Sequence, residues 1–211
     1  MAQRPRYHWF LLSNCNFIYQ ISGFKIIATF KDQIIFSDQF IRDIARQSPI
    51  VGLYAFAARL AEAGIIFVDA AMTRTPKEAA AGRLNLIVGA DKSVFEEVYP
   101  LLSLFAENIV HAGDVGAGQA LKLIHNYVSL GYAAVMAEAA AQADKQGIDA
   151  QRFLDVLHVG GGNSVVLERF RPFLTNKDIS GLQLSLSNAA KDIGYYIQAH
   201  EDSPLSSAIM D

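Results

Sequence analysis

Apolar residues along this chain repeat with two different periods, and the switches between them lay out its elements. Leu53, Phe56, Ala57, Leu60 and Ala61 recur at helical spacing and stop before Gly64, a plausible helix end. Ile65-Ile66-Phe67-Val68 follows at once, a buried-strand signature, and Leu84-Asn85-Leu86-Ile87-Val88-Gly89 predicts a second strand. Phe95 to Phe105 reads as a helix in which Pro100 should sit at an early turn or a kink, and Ile109-Val110 as a short third strand. Helices alternating with short apolar strands indicate an α/β layer. From Asp114, a reasonable N-cap, the pattern turns wholly helical. Leu121, Ile124, Val128, Gly131, Tyr132, Val135 and Ala139 hold a period near 3.6 up to Gly147, predicting one helix of about 30 residues, roughly 45 Å long. Shorter helices are expected over 149–158, 164–174 and 181–199. Upstream, Lys25–Phe30 and Ile34-Ile35-Phe36 are candidate strands in a segment that otherwise carries no clear motif.

Composition narrows the class. The 211 residues are 52% hydrophobic and 18% charged, enough apolar material for a buried core. A net charge of −3 gives no reason to expect nucleic acid or an anionic membrane as partner. With Cys15 the single cysteine, neither an internal disulfide nor a multi-cysteine zinc site is possible, and the histidines form no i, i+4 pair, so no metal is expected. Residues 1–31 lack Asp and Glu, and Arg4 and Arg6 precede an apolar stretch, as in a targeting segment. The run Trp9–Leu12 is broken by Ser13-Asn14-Cys15-Asn16, too short for a signal core or a membrane span. An atypical N-terminal extension and a cytoplasmic location are the expectation.

The chemistry concentrates at the start of the long helix. Gly116 and Gly118 permit close approach of a ligand or another backbone. Positions 118, 122 and 126 share one helix face, so Lys122 and Asn126 point the same way, with His125 beside them. A lysine whose pKa is lowered by partial burial can exchange a proton with a hydroxyl, and Asn126 can hydrogen-bond that hydroxyl or a carboxylate. By spacing alone the favoured reading of the pair is a solvated lysine and an exposed asparagine. Gly160-Gly161-Gly162 before Ser164 is either a phosphate nest or, as favoured here, an interhelix turn followed by an N-cap.

The run Gly116-Ala117-Gly118-Gln119-Ala120-Leu121-Lys122-Leu123-Ile124-His125-Asn126 resembles the catalytic signature of the β-hydroxyacid dehydrogenases, the family of 3-hydroxyisobutyrate dehydrogenase. Phe67-Val68-Asp69-Ala70-Ala71-Met72-Thr73 resembles its substrate loop, and Gly82–Gly89 the strand that follows. Glu138-Ala139, Gly147-Ile148-Asp149 and Lys191-Asp192 resemble later stretches, so the likeness covers about residues 55–200. It implies a partial Rossmann-like α/β domain followed by an all-α domain with one long helix. The expected division is 1–44, an unassigned N-terminal segment; 45–113, the C-terminal part of a dinucleotide-binding domain; and 114–211, a helical substrate and dimerisation domain. It implies NAD or NADP as cofactor, a small 3-hydroxy acid or the matching semialdehyde as substrate, and a homodimer or higher homo-oligomer. Lys122 would be the general acid/base, Asn126 would orient the substrate, Thr73 would bind its carboxylate and Lys191 would approach the nicotinamide end of the cofactor.

Two departures qualify the resemblance. Arg74 and Thr75 stand where the common pattern has two glycines, and Arg74 could offer a carboxylate, sulfonate or phosphate a bidentate fork, or be an exposed loop charge. The family opens with a Gly-x-Gly-x-x-Gly turn that holds the pyrophosphate, whereas residues 1–64 contain only Gly23, Gly52 and Gly64. The expectation is therefore a truncated or rearranged member. It is either an NAD(P)-dependent oxidoreductase or a non-catalytic remnant that folds or dimerises through its helices. An acid-binding module using Thr73 and Arg74 is a third reading.

Overall fold

The computed structural model describes residues 25–28, 49–62, 64, 66–74, 76–182 and 184–201. Cys15, Thr75, the strand expected at Ile34–Phe36 and the tail beyond Ser203 lie outside the described residues. The chain divides into two compact units, one ending at Ile124 and the other beginning at His125, inside the long helix.

The first unit is an α/β layer. Its elements are β1 (Lys25–Ala28), α1 (Pro49–Glu62), β2 (Phe67–Thr73), α2 (Pro76–Ala80), β3 (Leu84–Gly89), α3 (Lys92–Leu102) and β4 (Ala106–Gly113). The sheet runs β1-β2-β3-β4. β2 pairs antiparallel with both β1 and β3, and β3 pairs parallel with β4. Strand side chains alternate between faces. Val68 and Ala70 of β2, Leu84, Leu86 and Val88 of β3, and Ala106 of β4 accordingly share one core with Val98 and Leu102 of α3. Phe67 points the other way, onto α1, where it joins Leu60, Leu53, Phe56 and Ala57, the helical repeat read from the sequence. The Phe56 and Phe67 rings meet edge to face at 5.7 Å. Covering both faces is what buries β2 along most of its length.

Several boundaries move from their expected places. The strand expected over Ile65–Val68 runs from Phe67 to Thr73, and the one expected at Ile109-Val110 extends over eight residues. Helix α3 begins earlier than Phe95 and ends at Leu102, so Pro100 lies in its last turn rather than an early one. Near a C-terminus the proline removes only one intrahelical bond, and Ser103 Oγ donates to its carbonyl at 2.9 Å.

The long helix, α4, spans Ala117–Lys145, 29 residues. It ends as the sequence suggests: Gly147 takes φ 69° and the Ile148 amide reaches back to the Ala143 carbonyl at 2.9 Å. The second unit contains most of α4, then α5 (Ala150–Val159), α6 (Val165–Asn176), a 3-10 turn (Ile179–Gly181) and α7 (Leu186–Ala199). Met136, Leu154 and Leu167 form its buried centre, ringed by Tyr132, Phe153, Leu157, Val166, Phe170 and Leu174. Each short helix is capped locally. Asp149 accepts from the Gln151 amide at 3.0 Å, Ser164 from Leu167 at 3.1 Å and Ser185 from Asn188 at 3.2 Å. The glycine run 160–162 is thus the turn before a cap, held by Tyr132 Oη donating to the Gly161 carbonyl at 3.1 Å.

Candidate active site

The residues expected to carry chemistry fall in both units. In the first, Thr73 ends β2, half-buried, with Asn85 as its register partner on β3. Arg74 follows it at φ 79°, the left-handed region where the common pattern places glycine. Its guanidinium donates to the Arg83 carbonyl at 2.7 Å and pairs with Glu107 on β4. That hydrogen bond and the positive charge behind it hold the Glu107 carboxyl below the ordinary glutamate range. Both contacts engage Nη1 alone, so two of the five N–H donors of the guanidinium are used within the protein.

Lys122 lies half-buried in the second turn of α4. The start of that helix is built differently from the sequence expectation. The carboxylate that caps it belongs not to Asp114 but to Asp69 of β2. Asp69 Oδ2 accepts from the Gly116 amide at 2.7 Å and from the Gly118 amide at 3.2 Å. Asp69 is 4% exposed and is the register partner of Gly89 on β3. The two glycines bracket its carboxylate. A Cβ at Gly118 would lie 2.5 Å from both Asp69 Oδ1 and the Ile87 carbonyl, and one at Gly89 would overlap Asp69 Oδ2. The close approach expected of the Gly116-Ala117-Gly118 run is therefore within the protein, to the Asp69 side chain and to the backbone of β3 at Ile87 and Gly89. Burial pushes the Asp69 carboxyl up to about 6, against the opposing pull of the backbone amides of Gly116, Gly118 and Gln119. Gln119, next in line, is 1% exposed, and its side-chain oxygen and nitrogen have no hydrogen-bond partner.

In the second unit, Asn126 and Lys191 meet through a residue to which no role was given. Asp192 Oδ2 accepts from Asn126 Nδ2 at 3.1 Å, and Asp192 Oδ1 pairs with Lys191 Nζ at 3.2 Å. The Lys191 ammonium also lies 5.8 Å from the centre of the Tyr195 ring. One amide hydrogen and the Oδ1 of Asn126 are left over from this bond, and Oδ1 lies 3.4 Å from His125 Nδ1. Nearby, Tyr127 of α4 and Tyr196 of α7 stack at 4.1 Å.

Both overlooked residues left a trace in the sequence. Asp69 is an isolated acid within an otherwise apolar strand, and a buried carboxylate requires donors. Asp192 was visible as half of the Lys191-Asp192 pair, but only the fold shows that it reaches Asn126. Among the described residues no group of His, Cys, Asp and Glu could hold a metal ion, and no helix is long and apolar enough to cross a membrane.

The first unit thus holds a glycine-flanked helix start tied to the sheet by Asp69, and the second an Asn126–Asp192–Lys191 cluster. Residues 51–113 match the NAD binding domain of 6-phosphogluconate dehydrogenase, and residues 116–209 match the NAD-binding domain of NADP-dependent 3-hydroxyisobutyrate dehydrogenase. The chain is 32% identical over 163 residues to 2-(hydroxymethyl)glutarate dehydrogenase of Eubacterium barkeri, covering 77% of this chain and 54% of that protein. It is 33% identical to 3-hydroxyisobutyrate dehydrogenase of Pseudomonas aeruginosa over 65% of this chain and 50% of that one. In structure it resembles Mycobacterium tuberculosis 3-hydroxyisobutyrate dehydrogenase in complex with L-serine, with a TM-score of 0.69, 27% identity, and coverage of 76% of this chain and 57% of that one. The chain belongs to the β-hydroxyacid dehydrogenase family, on its 3-hydroxyisobutyrate dehydrogenase side. It has a partial Rossmann-like sheet followed by the family's helical domain, and it spans about half the length of the curated relatives it matches.

The family binds NAD or NADP. The start of α4 does not fit the cofactor's phosphates. A pyrophosphate needs free amides at a helix start, and those of α4 are filled by Asp69.

Proposed function

We propose that this chain supplies the substrate-binding and proton-transfer part of an NAD(P)-dependent oxidoreductase that acts on a small 3-hydroxy acid or its semialdehyde. The observation that carries the proposal is the bond from Asn126 to Asp192, which joins two motif pieces 66 residues apart in the chain. It fixes the amide of Asn126, so that its remaining donor and acceptor present a defined pair to a hydroxyl or carboxylate. Lys122, one helical turn earlier, takes the proton from the substrate hydroxyl in oxidation and returns it in reduction. Thr73 Oγ donates to the substrate carboxylate, and Lys191 provides positive charge toward the nicotinamide. Arg74 supports the strand end through Glu107 and gives the acid group at most its unspent donors. Relatives act on small hydroxy acids, and a cytoplasmic, homodimeric protein is the matching context. The apolar stripe of Val128 and Val135 on α4, 58% and 57% exposed, suits an interface between copies.

Titration of the purified chain with NADH and NADPH, followed by intrinsic fluorescence, tests the proposal. Saturation is expected, with turnover of a 3-hydroxy acid that falls about 10²–10⁴-fold in Lys122→Met. A folded chain that binds neither nucleotide overturns independent catalysis. That result would favour the second reading, a non-catalytic scaffold assembled through its helices, for which the Asp69-filled helix start is the specific support. Saturable binding of a hydroxy acid without nucleotide, insensitive to Lys122→Met, would instead mark an acid-binding module.

A further inference from the structure

The start of α4 is anchored unlike the starts of α5, α6 and α7. Those three helices are capped by the residue just before them, Asp149, Ser164 and Ser185. Such a cap ties the first turn to its own neighbouring backbone. Gly116 and Gly118 instead donate to a carboxylate 47 and 49 residues upstream, in the middle of a sheet strand. A cap of that kind fixes the helix to the sheet.

The fixation is tight in three directions. Asp69 and Gly89 are directly paired across β2 and β3, so the carboxylate stands over the end of β3. The Gly118 Cα approaches so closely that even a methyl group would strike Asp69 Oδ1, the Ile87 carbonyl and, at 2.9 Å, the Gly89 amide nitrogen. Among the described residues no cation pairs with Asp69, so its charge is met by backbone amides and the positive end of a 29-residue helix. Lys122 follows Gly118 by four residues, about 6 Å along the axis and some 40° around it. Within so short a stretch of helix any slip or rotation of the first turn passes directly to Lys122. A proton-transfer group needs placement to about 0.5 Å and 10–20°.

We propose that Asp69 is the positioning residue for Lys122: its buried carboxylate, clasped between Gly89 and Gly118, sets the height and rotation of the first turn of α4 on the sheet. This rests on the reading of Lys122 as the proton carrier, but the clamp itself can be measured without turnover.

Amide hydrogen exchange and NMR on the full chain provide the test. First-turn amides ordinarily lack an intrahelical acceptor and exchange readily. In the unaltered protein the Gly116 and Gly118 amides are expected to be protected, and rapid exchange at both overturns the clamp without any variant. Asp69→Asn keeps the shape but removes the charge. It should speed exchange at Gly116 and Gly118 about tenfold, the scale of a weakened charge-assisted hydrogen bond. The same variant should move the side-chain resonances of Lys122 but not those of Lys145, at the far end of the same helix. An equal rise in exchange along the whole chain, or an unmoved Lys122, overturns the positioning role. If turnover is present, Asp69→Asn should lower kcat while KM holds, and a fall confined to KM counts against it. A chain with no turnover but with protected glycines and a shifted Lys122 sinks the catalytic reading and leaves the clamp standing.

Discussion

The two units are built from similar proportions of apolar residues and use them differently. In the α/β unit, β2 and β3 are covered so fully that Val88, Leu60 and Leu102 reach 0% exposure. The helical unit has a narrow centre of Met136, Leu154 and Leu167, and leaves Val156, Val159, Val165 and Leu186 between 69% and 88% exposed. Its α7 buries no residue completely and is held by the Tyr127–Tyr196 stack and by Asp192. The sheet unit buries the faces of its central strands, whereas the helical unit leaves more of its apolar side chains in contact with water. Of the residues singled out in the sequence, the first unit holds Thr73, Arg74 and Lys122, and the second holds Asn126 and Lys191.

The largest effect that would test this contrast comes from the cores. Leu86→Ala and Leu154→Ala should each cost about 2–5 kcal/mol in urea unfolding. In Leu154→Ala the amides of α5 and α6 should lose protection while those of β2 and β3 keep theirs. Equal loss in both units would show that the helical unit is not the weaker partner.

A pH series sharpens the contrast next. The folded pKa of Asp69, about 6, lies above the ordinary 3.8, so the native state holds this proton more tightly than the unfolded chain does. The contribution to stability is greatest below the unfolded value, declines as pH rises between the two, and is constant above 6. The difference between the unaltered protein and Asp69→Asn should therefore fall by about 2 kcal/mol between pH 4 and 6. Glu107, Glu168 and Asp178, whose carboxyls are held low, act in the opposite sense and cancel in that difference. A flat difference would show that burial does not raise the Asp69 carboxyl above its ordinary value.

Arg74→Gly relieves a left-handed arginine at φ 79°, worth about 1 kcal/mol, and gives up the contact with Glu107. A modest rise in Tm is expected; a fall would mean that the ion pair outweighs the strain. The smallest change in monomer stability, within about 0.5 kcal/mol, is expected of Val128→Asp with Val135→Asp, because both sites are open to solvent. Sedimentation should nonetheless show a lower oligomer. An unchanged assembly would place the interface elsewhere.

Much of this molecule was legible from periodicity. The Leu53–Leu60 repeat is the buried face of α1, and the long helix ends at Gly147 as its sequence suggests. Periodicity reports that a helix forms, not what covers it: the apolar stripe through Leu121, Ile124, Val128 and Val135 is largely exposed, while Leu123 and Met136 are buried. The sequence places Lys122 on a glycine-flanked helix start and leaves open whether the glycines admit a ligand or another backbone, but it suggests Asp114 rather than Asp69 as the cap. Which carboxylate reaches those amides depends on the pairing of β2 with β3, a contact between distant segments that no local pattern encodes. Arg74 shows the converse: sequence registered a missing glycine, and only the backbone shows that the glycine conformation persisted.

The clasp around Asp69 also constrains how this chain can change over generations. Positions 69, 89 and 118 share one small volume, in which the carboxylate occupies the space that two methyl groups would need. Shortening the acid would not make room for a side chain at either glycine, because a Cβ at Gly118 would still lie 2.5 Å from the Ile87 carbonyl and one at Gly89 2.7 Å from the Asp114 carbonyl. Positions 89 and 118 should therefore stay glycine in any lineage that keeps this backbone, whatever happens at 69, whereas the acid can change without a steric penalty and at the expense of the cap alone.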